Sequence, residues 1–147
     1  MPDTLDERVA KLKTPEDCAV FAKNATERGR PDLAFAARRR AVQLRAASYG
    51  ATNEVELECL EAIYAYEEVM SATSGRRKIA SRTWPMIKKY GVIGTVERVV
   101  KRKDETVGYT ALVEMGLEDY AFEAVILRHP TFFSADAIKR SRERREA

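Results

Sequence analysis

Apolar residues recur every three or four positions along most of the chain, which is the spacing of one face of an α-helix. Capping signals divide this pattern into segments. Thr14 precedes a proline and two acids, and Asn53 lies three residues before Glu56, so each marks a helix start. Strand-like alternation is nearly absent, and a short strand or hairpin near 92–109 is the minor alternative. The pattern predicts an all-α fold of about seven helices.

An alanine-rich segment follows the helix that should end at Gly29. It begins at Pro31 and runs to about Gly50, with alanines recurring on one side. Small alanine faces let two helices approach closely. We therefore predict an antiparallel helical hairpin joined at 29–31.

The next helix, 53–74, is apolar over more than half of its circumference. Such a helix is typical of the centre of a bundle. Gly75 ends it and marks the best candidate for a subdomain boundary. We predict an N-terminal antiparallel three- to four-helix bundle over 1–75, packed on a smaller basic helical subdomain over 76–147.

Composition places the chain among globular proteins, since 45% of its residues are apolar and 33% are charged. Its length suits one ordinary domain, or two small ones that share a core. No apolar run approaches the roughly 18 residues of a membrane span, and the N-terminal segment lacks the apolar core of a signal peptide. We therefore expect a cytoplasmic protein with no membrane partner. Cys18 and Cys59 are predicted to be buried, reduced thiols.

Charge is distributed unevenly along the chain. Residues 1–75 carry ten Lys/Arg and thirteen Asp/Glu, whereas residues 76–147 carry sixteen and ten. Within 76–103, ten basic residues accompany a single acid, Glu97. A charge density this high requires either a polyanionic partner or an acidic surface on the protein itself. The acidic helix 54–68 is the candidate for such a surface.

The segment 83–103 resembles a helix-turn-helix motif. A short helix over 84–90 is followed by Gly91, an apolar residue and a second helix that Thr95 can cap. The stretch between the two helices is one residue shorter than usual, which rotates the second helix by about 100°. Trp84 is predicted to anchor the core of this subdomain.

Cations on this segment supply the candidate phosphate contacts. Arg98, Lys101 and Arg102 fall at i, i+3 and i+4, so they share one face of the second helix. The flanking cations would follow the nucleic-acid backbone, while Thr95 and Arg98 are the candidates for reading bases in the major groove. The predicted nucleic-acid-binding residues are Arg76, Arg77, Lys78, Arg82, Lys88, Lys89, Thr95, Arg98, Lys101, Arg102 and Lys103.

Sequence signals for catalysis are weak. The chain has one histidine, His129, and contains no GxGxxG, P-loop, paired CxxC or HExxH motif. The acids near Glu118 lack the spacing of a calcium-binding loop. We therefore predict that the protein is not an enzyme and has no catalytic residue, cofactor or metal site.

The function predicted from the sequence is nucleic-acid binding through 76–103, with duplex DNA favoured over RNA and a possible homodimer formed by the N-terminal bundle. The alternative is an α-helical protein-interaction or adaptor module that dimerises through that bundle. Its anchors would be Leu57, Tyr64 and Tyr66 on the outer side of the central helix. Cations paired with the helix 54–68 would favour the adaptor, whereas an open basic face would favour nucleic acid.

Overall fold

The computed structural model describes residues 6–102 and 109–146, and all regular structure in these ranges is helical. The all-α class predicted from the sequence is therefore confirmed. No helix in the same ranges is both long and apolar enough to cross a membrane. The helices are α1 (Glu7–Ala10), α2 (Pro15–Glu27), α3 (Pro31–Tyr49), α4 (Glu54–Ser74), α5 (Thr83–Lys101), α6 (Tyr109–Glu114), α7 (Phe122–Arg128) and α8 (Ala135–Glu146), with 3-10 turns at Glu118–Tyr120 and Pro130–Phe132.

Helices α2 and α3 form the predicted hairpin. The Thr14 hydroxyl accepts a hydrogen bond from the backbone N–H of Asp17 at 3.1 Å and caps α2. At the other end Gly29 adopts a φ of 73°, which reverses the chain before α3 begins. The buried residues between them are mostly alanine, which lets the two helices approach closely. They are Ala22 and Ala25 of α2, with Leu33, Ala34 and Ala37 of α3.

Helix α4 lies at the centre of the molecule, as its broad apolar surface predicts. It packs against α3, α5, α6 and α7, and its Leu60 and Ile63 are fully buried. The Asn53 side chain accepts a hydrogen bond from the Glu56 N–H at the start of α4. Gly75, with a φ of 79°, ends it. Both ends of the helix therefore lie where the sequence places them.

The aromatic side chains of α4 face its neighbours. Leu57, Tyr64 and Tyr66 are partly buried and pack against the largest hydrophobic core. The Tyr64 ring centroid lies 5.0 Å from that of Trp84, and the Tyr66 centroid lies 6.3 Å from that of Phe122. The prediction that these three residues form an outer, partner-binding side of α4 is wrong, because all three pack against this core, Tyr64 beside Trp84 of α5 and Tyr66 beside Phe122 of α7.

The largest hydrophobic core extends across the predicted boundary at residue 75. It combines Leu60 and Ile63 of α4 with Val96 and Val100 of α5 and Val125 of α7, all of them fully buried. Apolar burial is the main favourable contribution to folding. The two predicted parts of the chain share this core, and their division into domains stays a prediction.

Gly116 is required at the turn that follows α6. Its φ of 72° is left-handed, and an added Cβ would lie 2.5 Å from Cγ of Phe35. We expect Gly116→Ala to lower the free energy of unfolding by about 2–3 kcal/mol, because backbone strain adds to displacement of the Phe35 ring. Gly29→Ala is the matched control, since Gly29 has the same left-handed φ with nothing within 4 Å of the added Cβ. If urea denaturation shows that both substitutions lower the free energy of unfolding equally, the close contact between residue 116 and Phe35 is contradicted.

Glu58 connects α4 to the end of α7. Its carboxylate accepts a hydrogen bond from Nε of Arg128 at 2.8 Å and lies 3.0 Å from Nε2 of His129. Burial disfavours the ionised form, but the interactions with His129 and Arg128 outweigh burial. The pKa of Glu58 therefore lies below its ordinary value of 4.5.

This lowered pKa predicts a pH-dependent contribution to stability. A carboxyl group whose pKa is lower in the folded than in the unfolded state contributes stability above the unfolded pKa, and that contribution is lost as the pH falls through the folded pKa. We therefore expect Glu58→Gln to be less stable than wild type at about pH 6 and the difference to shrink at about pH 3. Urea denaturation at the two pH values measures the free energy of unfolding of both proteins. If the difference between them does not depend on pH, the lowered pKa of Glu58 is refuted.

Candidate nucleic-acid interface

Helix α5 bends at Gly91 into two helical pieces, 83–90 and 92–101. Gly91 has a φ of 78° and a ψ of 170°, far from helical values, whereas the residues on either side remain helical. The conformation suits glycine because its φ is positive. The connection is thus a single residue, shorter than the turn that the sequence resemblance to a helix-turn-helix predicts.

Side chains pair across this bend. The guanidinium carbon of Arg98 lies 3.7 Å from the ring centroid of Tyr90, and Nη2 of Arg102 lies 3.1 Å from the sulfur of Met86. Met86 and Tyr90 are four residues apart on the first piece, as Arg98 and Arg102 are on the second. Residues four apart share a helix face. One face of the first piece therefore meets one face of the second.

Thr95 lies inside the second piece and has no exposed surface. Its hydroxyl donates a hydrogen bond of 2.7 Å to the carbonyl oxygen of Gly91. The second piece begins directly after Gly91, so Thr95 does not cap it. The prediction that Thr95 starts this helix and reads bases is wrong, because its side chain is buried against the bend.

Four exposed cations surround Met86 and Tyr90. Helical spacing places the first of them, Arg82, one turn before Met86. Its side chain lines the same cavity as that of Arg102. The ammonium of Lys89 lies 5.2 Å from the Tyr90 ring centroid, on the ring that Arg98 also contacts. We call this set the α5 basic cluster; its members are Arg82, Lys89, Arg98 and Arg102.

No carboxylate of the described residues neutralises the α5 basic cluster. Within residues 6–102 and 109–146, none of its four cations takes part in an ion pair. The cations of 76–102 that do are Arg77, on Glu67 of α4, and Lys101, on Glu97 of α5 itself. The acidic helix α4 thus pairs with one cation of this stretch, and the cluster remains open.

The other predicted phosphate contacts lie apart from the cluster. Arg76 lines a different groove at the end of α4, and Lys78 is half-buried. Lys88 is exposed, but two helical positions place it about 200° around the helix from Met86. Lys103 lies outside the described residues. Of the predicted nucleic-acid-binding residues, the structure therefore brings together only the four members of the α5 basic cluster.

Glu67 fixes the start of α5. Its side chain is 1% exposed and accepts three hydrogen bonds, from Nη2 of Arg77 at 2.7 Å, the N–H of Ala80 at 2.8 Å and Nε1 of Trp84 at 2.6 Å. Trp84 is half-buried and stacks on Tyr49 of α3, with ring centroids 5.7 Å apart. Trp84 thus joins α5 to both α3 and α4, which goes beyond its predicted role as the anchor of a separate small core.

Helix α8 brings further positive charge beside α5, and none of its residues is among the predicted nucleic-acid-binding residues. The N–H and hydroxyl of Ser134 donate to Glu97 at 2.9 and 2.6 Å, and Nη2 of Arg144 donates to the carbonyl of Arg102 at 2.7 Å. Helix α8 therefore runs alongside the second piece of α5. Its exposed cations include Lys139 and Arg142. The available signal was the basic composition of 139–145.

Glu97, the single acid within 76–103, is held in its ionised form. Burial disfavours the charge, but hydrogen bonds from Ser134 and Lys101 outweigh burial and bring the pKa of Glu97 below its ordinary value. The carboxylate therefore ties α8 to α5 and neutralises Lys101. Glu97 forms its ion pair with Lys101 and forms none with the described members of the α5 basic cluster.

Side chains that could support other chemistry lie elsewhere. Burial raises the pKa of the Cys59 thiol to about 12, so the thiol is protonated at neutral pH. Within the two described ranges, no three His, Cys, Asp or Glu side chains lie close enough together to hold a metal ion.

Comparisons with known proteins add nothing to the geometry of this interface. No family model matches the chain, and no curated protein and no solved structure matches it.

Proposed function

We propose that the protein binds nucleic acid, with duplex DNA as the first candidate, through the α5 basic cluster. The observation that supports this most directly is the convergence of four exposed cations from two helical pieces with no ion-pairing carboxylate in the described part of the chain. Unpaired cations gathered on one surface attract polyanions and release their counterions on binding. If the same cations were spread over a surface rich in acids, they would attract polyanions much less strongly.

Arg98 has a geometry suited to a phosphate. Its guanidinium lies 3.7 Å from the centroid of the Tyr90 ring, so an aromatic face restrains its orientation. A guanidinium held in this way presents its N–H groups to a phosphate oxygen pair with little further loss of side-chain entropy. Phosphate contacts position a protein on DNA without reading its sequence. In this proposal Arg98 also remains the candidate for contacting a base.

The remaining parts of the molecule have supporting roles in this proposal. The second piece of α5 faces the DNA as the reader helix of a shortened helix-turn-helix, and the exposed cations of α8 extend the basic surface. Helices α1–α4 would carry the homodimer contact. A cytoplasmic location agrees with this function.

Salt dependence tests the proposal. If the four cations of the cluster each contact one phosphate, the logarithm of affinity should fall with a slope of about −3.6 against the logarithm of salt concentration. Affinity for a labelled random-sequence duplex should then drop about 150-fold between about 50 and 200 mM salt. Fluorescence anisotropy measures both values. No binding at the lower salt concentration would refute the proposal.

The adaptor function stays the second candidate because of one groove. A groove of about 540 Å³ lies between α2 and the end of α4 and is lined in part by small apolar side chains, such as Ala22 and Ala72. Val20, on α2, is 62% exposed. If the duplex does not bind, sedimentation equilibrium tests whether the chain dimerises, and Val20→Lys tests whether α2 carries the contact.

A further inference from the structure

A cavity of about 320 Å³ adjoins the α5 basic cluster, between α4, the turn over 79–83 and the second piece of α5. This volume lies near the lower limit of about 300 Å³ for small-molecule sites. Two members of the cluster, Arg82 and Arg102, lie in its lining. Any group that enters the cavity therefore meets two cations with no ion pair in the described part of the chain.

The remaining lining is largely aromatic and apolar. Tyr66 of α4 and Phe122 of α7 both line the cavity, with ring centroids 6.3 Å apart and ring planes tilted by 50°. Met70 lies one helical turn beyond Tyr66 and also lines it. A flat ring packs well against aromatic and thioether side chains. The cavity thus combines a surface for a ring with two cations for an anion.

Two further residues add a polar and an apolar group to the lining. Thr83 lines the cavity, and its hydroxyl has no hydrogen-bond partner among the described residues, so it can donate to or accept from a ligand. Ile79, in the same lining, is 62% exposed, so most of its apolar side chain is uncovered. A ligand with both polar and apolar parts would satisfy both residues.

We propose that this cavity binds a single unpaired nucleotide of a nucleic acid held by the α5 basic cluster. The base lies against Tyr66 and Phe122, its edge is covered by Ile79, and its phosphate lies between Arg82 and Arg102. This inference rests on the proposed function. A paired base must first leave its stack at a cost in free energy, whereas an unpaired base enters without that cost. The protein therefore prefers DNA that already contains an unpaired nucleotide.

The test compares two labelled duplexes of about 20 base pairs, identical except for one unpaired nucleotide at the centre of the second. Stacking of one base on aromatic side chains corresponds to about 5- to 150-fold in affinity. We expect the wild type to bind the bulged duplex at least about 5-fold more tightly than the paired one. Ile79→Ser should reduce this preference several-fold and leave affinity for the paired duplex unchanged.

Val20→Ser is the matched control, because Val20 is also 62% exposed and lies on α2, outside the cavity. It should leave both affinities unchanged. Equal wild-type affinities for the two duplexes would overturn the nucleotide pocket and leave the proposed function standing. A preference that survives Ile79→Ser would also overturn the pocket, since the flexibility of the bulged duplex would then explain it. Absence of binding to either duplex would overturn both proposals.

Discussion

Glu67→Gln is expected to lower the free energy of unfolding by about 3 kcal/mol, because it breaks a buried, charge-assisted hydrogen-bond network. The carboxylate of Glu67 accepts bonds from Arg77, Ala80 and Trp84 in a position that is 1% exposed. A glutamine side chain offers one acceptor oxygen and directs an NH₂ group at one of these donors. That oxygen can keep the two bonds from Ala80 and Trp84 that Oε2 accepts in the wild type, but the NH₂ group then faces Nη2 of Arg77, so donor meets donor and the ion pair is lost. Urea denaturation with a fixed m-value measures the loss.

Glu27→Gln is the control for this prediction. Glu27 is an exposed glutamate at the end of α2, so its substitution should change stability by less than about 0.5 kcal/mol. Because the Glu67 network holds the turn before α5, we also expect Glu67→Gln to weaken duplex binding, although Glu67 itself is buried. A Glu67→Gln protein as stable as wild type would show that the network contributes little to folding.

Replacing Arg82, Arg98 and Arg102 together with glutamine should nearly abolish duplex binding at about 200 mM salt. Three phosphate contacts account for about 2.7 units of the predicted salt slope of about −3.6, so the slope should become about −0.9. The contacts of Arg98 with Tyr90 and of Arg102 with Met86 are lost, but all three side chains are exposed and none has an ion pair in the described ranges, so the fold should be retained. Anisotropy across a salt series measures the slope directly.

A second triple variant separates position from net charge. Lys13, Lys23 and Arg28 are exposed on the N-terminal part of the chain, and changing them to glutamine also removes three positive charges. We expect its salt slope to equal that of wild type, with affinity lowered only by the weaker long-range attraction. If the two triple variants lose affinity and salt slope equally, binding depends on the overall charge of the protein and not on the α5 basic cluster.

Local chemistry explains why much of the helix layout could be predicted. The capping hydroxyl of Thr14, the capping amide of Asn53 and the left-handed Gly75 act within one turn of the helix ends that they determine. The buried valines of α5 also follow directly from helical spacing, with Val96, Val99 and Val100 all in the core. Such signals need no knowledge of the rest of the fold.

The candidate site was harder to predict, because its geometry depends on contacts between distant residues. A capping signal at Thr95 predicts that the second helix begins four residues too late, whereas Gly91 alone makes the bend and Thr95 hydrogen-bonds back to it. The basic run predicts Arg77 as a phosphate contact, but Glu67, ten residues away, accepts a hydrogen bond from it and neutralises its charge. Helical periodicity defines the faces of α5, but it does not show which face meets a carboxylate.

The placement of α8 illustrates the same limit. Its basic sequence is evident, yet its position beside α5 depends on Ser134 reaching Glu97 across 37 residues. Local patterns do not encode a contact at that separation. The same holds for the pairing of Arg98 with Tyr90, which requires the chain to bend at Gly91 before the two side chains can meet.

A titration of the ¹⁵N-labelled protein with duplex DNA, followed through its backbone amide resonances, tests the central claim most directly. The α5 basic cluster predicts that the largest shifts fall on 82–102 and on the second half of α8, whereas the amides of α1 and α2 remain unchanged. Shifts concentrated on α2 and α3, or a duplex that binds without perturbing α5, would contradict the claim that the α5 basic cluster is the nucleic-acid interface.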